Sequence, residues 1–172
     1  FEPYIIKEYD GVKVAIMGIG NPGVPPWDVP ANWEGIYFAN PIETYDHYEE
    51  EMKAAADIIV LMSHSGIDIE GDGTGYIRQL IQTHDSVDLV FSGHEHRDGV
   101  TNIADKTGRI VPVVSPSTKC SKRTLKTRSM LEISVASKLR EVESLNSAIP
   151  HLFTTRNVMY SLIYLFKINI KY

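Results

Sequence analysis

The sequence predicts an α/β fold in which a buried, largely parallel sheet is connected through helices. Residues 12–19, 57–63 and 87–92 read as strands, and the apolar content of 12–19 on both faces and of 58–62 suits strands covered on both sides. Segments with helical spacing separate the last two from each other and from the first, giving strand, helix, strand, helix, strand. Two of the runs end at histidines: residues 57–63 lead into His64, and residues 87–92 into Gly93-His94-Glu95-His96. In parallel α/β sheets, functional groups gather where loops leave the carboxyl ends of strands.

Taken in order, residues 4–8 and 12–19 read as two strands joined at Asp10-Gly11, a dipeptide suited to a tight hairpin. Residues 21–30 hold Pro22, Pro25, Pro26 and Pro30, too many prolines for a regular element, and read as a long stiffened loop. Asn40-Pro41 starts a helix, with Asn as N-cap and Pro at the first position. Ile42, Tyr45, Tyr48, Met52 and Ala55 continue it to about Ala56. Residues 57–63 form a second buried strand, residues 67–75 a Gly/Asp loop, and Tyr76, Ile77, Leu80 and Ile81 mark a short helix. Residues 87–92 and 110–114 are further strands. Residues 130–135 and 139–145 fit a hairpin, although the second also fits a helix. Beyond Pro150 the pattern is irregular, and no internal repeat or low-complexity tract is present.

At 172 residues, 43% hydrophobic and 23% charged, the composition is that of one globular domain or a large piece of one. That balance excludes disorder, collagen and coiled coil. The apolar run at 160–166 is far shorter than the roughly 20 residues that span a bilayer, so no transmembrane helix is expected. The chain opens Phe1-Glu-Pro-Tyr, with no Met and no basic segment, so neither a signal peptide nor a natural start is visible. The net charge of -5 conceals an asymmetry: residues 1–118 hold 7 Lys/Arg and 19 Asp/Glu, residues 119–172 hold 10 and 3. An acidic body argues against a nucleic-acid polymer as partner, because phosphate backbones require clustered cations. The single Cys120 excludes an intramolecular disulfide and a multi-thiolate zinc site.

His64 and His94 stand at the ends of two neighbouring strands, with His96 two residues further on, and together they are the candidate metal ligands. Gly66 and Gly93 favour this, since backbone without Cβ folds tightly while an imidazole points inward. Other motifs are weaker. Gly18-Ile-Gly-Asn-Pro-Gly23 matches a dinucleotide pattern, but the prolines after it prevent the helix whose N-terminus would hold a pyrophosphate. Asp68, Glu70 and Asp72 imitate an EF-hand opening, yet its twelfth position is Gln79. Ser63 and Ser65 flank His64 without a nucleophile elbow. Lys119, Lys122, Arg123, Lys126 and Arg128 read as a solvated basic face. Trp27 and Trp33 cap the core or line a pocket, and His47, His84 and His151 are surface or structural.

Four stretches in order resemble the calcineurin-like metallophosphoesterases, in the branch of 5'-nucleotidases and 2',3'-cyclic-nucleotide 2'-phosphodiesterases. They are Pro3-Tyr4 with Gly11-Val-Lys-Val-Ala-Ile-Met-Gly18, Trp27-Asp28 with Glu34-Gly35, Ile59-Val-Leu-Met-Ser-His-Ser-Gly66, and Phe91-Ser-Gly-His-Glu-His96. Val111-Pro-Val-Val114 continues the likeness. The resemblance implies a layered αββα architecture, with residues 3–118 as the C-terminal part of the catalytic domain, 119–147 as an unplaced continuation and 148–172 as an unassigned tail. It further implies two divalent ions, of Mn, Zn, Fe or similar type, with His64 and His94 on one and His96 on the other. The family's Asp-x-His, Gly-Asp and Gly-Asn-His-Glu motifs precede the matched region and have no counterpart here, so the bridging Asp and catalytic His are expected outside this chain. The expected activity is hydrolysis of nucleotide phosphate esters, as monoesters or cyclic diesters, by the intact protein, with the chain alone inactive. Two alternatives remain: a nonenzymatic metal-binding remnant, or half of an enzyme completed by a missing N-terminal half in trans. Relatives imply an extracellular, cell-wall or periplasmic setting.

Overall fold

The computed structural model describes residues 2–67, 75–96 and 99–115. The acidic loop with Asp68, Glu70 and Asp72, the basic stretch from Lys119 to Arg128, the hairpin or helix read at 130–145, Cys120 and His151 lie outside those residues. Among the described residues, six strands form one sheet in the order β1-β2-β3-β4-β6-β5. β2 (Val12–Ile19), β3 (Ile58–Ser63), β4 (Leu89–Ser92) and β6 (Ile110–Ser115) run parallel, while β1 (Tyr4–Tyr9) and β5 (Gly99–Ala104) close the two edges antiparallel. The fold is therefore α/β with a mostly parallel sheet, as the alternation of patterns predicts.

The β1–β2 hairpin turns at Asp10 and Gly11, with φ of 49° and 85°. A two-residue turn of this hand needs both residues in the left-handed region, which Asp-Gly adopts at little cost. α1 (Pro30–Trp33) is a single turn that the proline content obscures. α2 (Pro41–Ala55) begins as its sequence predicts, since the Asn40 side chain accepts a hydrogen bond from the Ile42 N–H at 2.9 Å. α3 (Tyr76–Thr83) spans the short apolar stripe and buries Ile77, Leu80 and Ile81.

Successive strand residues face opposite sides, and here both sides are buried. Ala15, Met17, Ile19, Ile59, Leu61 and Val90 pack with Tyr45 and Met52 of α2 and with Ile77, Leu80 and Ile81 of α3. The intervening Val12, Val14, Ile58, Val60, Leu89 and Val114 form a second cluster on the other face, none more than 5% exposed. This two-sided burial is the physical reason for largely apolar runs. The helices are joined through His84, which is buried against Tyr45 with ring centroids 4.8 Å apart. Its Nδ1 lies 2.7 Å from the Leu80 carbonyl and its Nε2 2.6 Å from Asp46 Oδ1, so His84 is structural. The Tyr45 hydroxyl lies 2.7 Å from Ser86 Oγ, which donates to Glu49; burial pushes this phenol well above its ordinary pKa.

β5 is absent from the expectations and pairs with β6 through a turn at residues 105–108. Asp105 Oδ1 accepts from Thr107 N, Thr107 Oγ1 and Arg109 N, and Gly108 takes φ of 89°. An Asp followed three residues later by Gly is a turn signature, and Ile103, buried between exposed Asn102 and Ala104, gives a weak strand signal. Among the described residues, no helix is long and apolar enough to cross a membrane.

Candidate functional site

The parallel ladder runs one residue beyond the strands and carries the histidines with it. The His64 N–H donates to the Ile19 carbonyl at 2.9 Å, and the Gly93 N–H donates to the Ser63 carbonyl at 2.8 Å. His64 and His94 are thereby brought to the same sheet edge. Their ring centroids lie 5.6 Å apart, with the planes at 76°. A Cβ on Gly93 would lie 3.0 Å from His64 Nδ1, so glycine there makes room for the imidazole. Gly66 is buried beside this site. The edge opens into a cleft of about 480 Å³ lined by Gly18, Gly20, Met62, His64, Phe91 and Gly93, among others.

Both histidines of Gly-His-Glu-His occupy the left-handed region, His94 at φ of 80° and His96 at φ of 53°. Such conformations cost roughly 1–3 kcal/mol each and persist where neighbours fix them. Glu95 is one such brace: its carboxylate accepts the Ile67 N–H at 2.7 Å, tying the loop after β4 to the loop after β3. Ser92 Oγ donates to the Ser65 carbonyl at 3.1 Å, and the Ser65 N–H donates to Ser63 Oγ at 2.9 Å. These three serines are buried. Ser92 and Ser65 therefore tie the two loops together, Ser63 braces the turn after β3, and Ser63 and Ser65 are not presented as nucleophiles.

The second neighbour of His94 is Trp27, stacked on its ring with centroids 5.4 Å apart and planes 12° from parallel. Of the two roles open to this tryptophan in the sequence, the structure places it against the candidate site; Trp33 instead meets Phe38 edge-on. The glycines at 18–23 carry no helix N-terminus. The next helix is α1, and Gly23 instead makes space for Trp27, whose Cη2 would stand 3.1 Å from a Cβ there. His96 is exposed. Among the described residues, no group of three or more His, Cys, Asp or Glu is arranged to hold an ion. His64 and His94 thus meet, and His96 does not complete a common cluster with them. Glu95 went unassigned in the sequence because nothing in a Gly-His-Glu-His run distinguishes a brace from a solvated carboxylate.

By donor chemistry, the two imidazoles fit part of a transition-metal site, since neutral imidazole suits Zn, Fe and related ions. They supply two of the four or more donors such an ion takes. The pair is also sensitive to its surroundings. Gly93→Ala is expected to push the His64 ring aside and weaken Co²⁺ binding by about tenfold, the lower range for losing an orienting contact. Isothermal titration checks this beside a thermal melt, which should stay close to that of the unaltered chain.

An α/β sheet that gathers imidazoles at the carboxyl edge of parallel strands defines a protein whose chemistry is held by loops on a rigid inner layer. The chain belongs to the calcineurin-like phosphoesterases, whose family model matches residues 1–98. The family is one of phosphoester hydrolases that generally use divalent metal ions. A cell wall protein of Listeria monocytogenes is 29% identical over 112 residues, covering 56% of this chain and 14% of the relative. A structure from Staphylococcus aureus described as a 5'-nucleotidase superimposes with a TM-score of 0.57 at 23% identity, over 68% of this chain and 24% of that one. A calcineurin-like phosphoesterase from Bacillus subtilis gives a TM-score of 0.53 at 27% identity, over 68% of this chain and 42% of that one. The chain thus spans less than half the length of each of these relatives.

Proposed function

We propose that residues 3–118 form the later part of the catalytic domain of a nucleotide phosphoester hydrolase. In this reading His64 and His94 hold one divalent ion and His96 the other. The carrying observation is the meeting of the His64 and His94 rings, 5.6 Å apart, at the open carboxyl edge of a sheet in a calcineurin-like phosphoesterase. A bound ion of Mn, Zn or Fe type would supply Lewis-acid polarisation of the phosphate ester.

The chain's own residues do the rest of what is proposed here. The backbone ladder from Ile19 and Ser63 fixes where the two imidazoles start, and Glu95 and the buried serines hold the loops that carry them. Gly18, Gly20 and Gly93 keep the cleft wall low, which leaves room for a phosphate ester beside the His64 ring. The likeness to a 5'-nucleotidase structure supports a nucleotide substrate, as a 5' monoester or a 2',3'-cyclic diester. The cell wall relative supports a setting outside the cell.

Two imidazoles leave the coordination incomplete, and the described residues offer no larger cluster. By the resemblance to the family's motifs, the remaining donors, the bridging Asp and the catalytic His come from a preceding segment or from another chain, and the isolated chain is inactive. The same observation favours a second reading, a nonenzymatic module that binds one ion. An assay with Mn²⁺ or Zn²⁺ on p-nitrophenyl phosphate, AMP and 2',3'-cyclic AMP tests the first reading. The expected result is no turnover by the chain alone and turnover when a family fragment bearing Asp-x-His, Gly-Asp and Gly-Asn-His-Glu is supplied. Turnover by the chain alone, abolished in His94→Ala, would overturn the claim of an incomplete site. Failure of complementation, together with binding of a single ion, would favour the nonenzymatic module.

A further inference from the structure

We propose that Trp27 is a positioning residue for His94, holding its imidazole in the orientation that receives a metal ion. This rests on the reading of His94 as a ligand. Trp27 is 50% exposed, so core burial does not account for its placement. One face of the indole covers the His94 ring at 12° from parallel, and His64 meets that ring nearly edge-on from another side. The His94 ring is therefore bounded by two aromatic neighbours on a backbone held at φ of 80°.

The loop that presents Trp27 is fixed without help from His94. Its N–H donates to the Val24 carbonyl at 2.9 Å, and Gly23 leaves the space its six-membered ring fills. Asp28 Oδ1 accepts from Val29 N at 2.7 Å and from Asn32 Nδ2 at 2.6 Å. Pro22, Pro25, Pro26 and Pro30 restrict the backbone on both sides. A stiff loop thus carries a flat surface to one side of the imidazole. Stacking of this kind limits ring rotation without occupying either ring nitrogen, which is the requirement for orienting a ligand.

The chain contains two tryptophans, so Trp33→Phe leaves Trp27 as the single indole. Titrating that variant with Co²⁺ is expected to quench its emission saturably, with recovery on adding EDTA, whereas Trp27→Phe, which reports Trp33, should change little. In Trp27→Leu, Co²⁺ affinity is expected to fall about tenfold with a shifted visible absorption band, while Trp27→Phe, which keeps a ring face, stays within about threefold of the unaltered chain. Trp27→Leu with unchanged affinity and band, or Trp27 emission that ignores Co²⁺, would overturn the proposal. His94→Ala separates the two claims. If it loses Co²⁺ while Trp27→Leu does not, positioning fails and the ligand reading stands. If His94→Ala binds Co²⁺ normally, or the unaltered chain binds none, the ligand reading fails and takes this proposal with it. The emission experiment keeps Trp27 in place, so an absence of quenching overturns the proposal even if Trp27→Leu does not fold, and Trp27→Phe then carries the affinity comparison.

Discussion

His94→Ala is expected to lower the affinity of the chain for Co²⁺ by more than about 100-fold, beyond the 10–100-fold typical of losing an orienting neighbour. The substitution removes one of the two imidazoles that meet at the sheet edge, and the other is then a single neutral donor facing a cleft largely lined by glycines and apolar residues. Stability should change little. The backbone at residue 94 is held at φ of 80°, which alanine tolerates no better than histidine, but the partly exposed ring contributes little core burial. His94→Gly relieves that strain and serves as a second variant with the same expected loss of binding. Isothermal titration beside a thermal melt checks both quantities. Retained affinity in both variants would remove His94 from the ligand set.

Much of this arrangement is legible in the sequence, and the limits are physical. β2, β3 and β4 are readable because most residues on both of their faces are buried, which leaves largely apolar runs. α2 is readable because Asn40-Pro41 is a strong start signal and its cap forms as expected. β5 escapes because it is an edge strand with only Ile103 fully buried, so neither a continuous run nor clean alternation marks it. The pairing of His64 with His94 follows from two adjacent parallel strands ending in histidine, since the register sets Ser63 beside Ser92. Trp27 could not be placed, because its position depends on the path of a loop whose prolines say where regular structure stops and not where the chain goes next. Glu95 and Ser92 act through single hydrogen bonds between loops distant in sequence, which no local pattern encodes. His84 illustrates the opposite case. A histidine near the end of an amphipathic helix reads as bland, and it is a buried structural link between α2 and α3.

Arg109→Ala is expected to destabilise the fold by about 2–3 kcal/mol, below the 3–5 of a fully buried ion pair because the guanidinium is 27% exposed. Arg109 lies at the start of β6, at the end of the sheet away from the histidines. Its guanidinium donates to Asp88 Oδ1 at 2.7 Å and Asp105 Oδ2 at 2.9 Å, and also to the carbonyls of Asp85 and Val87 at 2.8 and 2.7 Å. One side chain thus ties the entry to β4 to the β5–β6 turn. Without it the Asp105 and Asp88 carboxylates, whose side chains are 1% and 9% exposed, lose a charge partner that water cannot replace. Arg109→Lys should recover only part of the loss, because an ammonium cannot reproduce a fork that reaches two carboxylates and two carbonyls. The pH dependence provides an independent check. Burial alone would raise the Asp105 carboxyl, but hydrogen bonds from Thr107 and Arg109 outweigh it and hold the group below its usual range. A carboxylate depressed on folding contributes stability that is fully present above its unfolded pKa of about 3.9 and is lost as pH falls through the folded value. Asp105→Asn should therefore flatten the acid limb of a plot of Tm against pH, and Arg109→Ala, which removes one of the groups that depress the Asp105 carboxyl, should flatten it as well. An acid limb unchanged in both variants would show that this cluster does not govern acid stability. Unchanged Co²⁺ affinity in folded Arg109→Ala at neutral pH is expected as well, because the clamp and the histidine pair occupy opposite ends of the sheet.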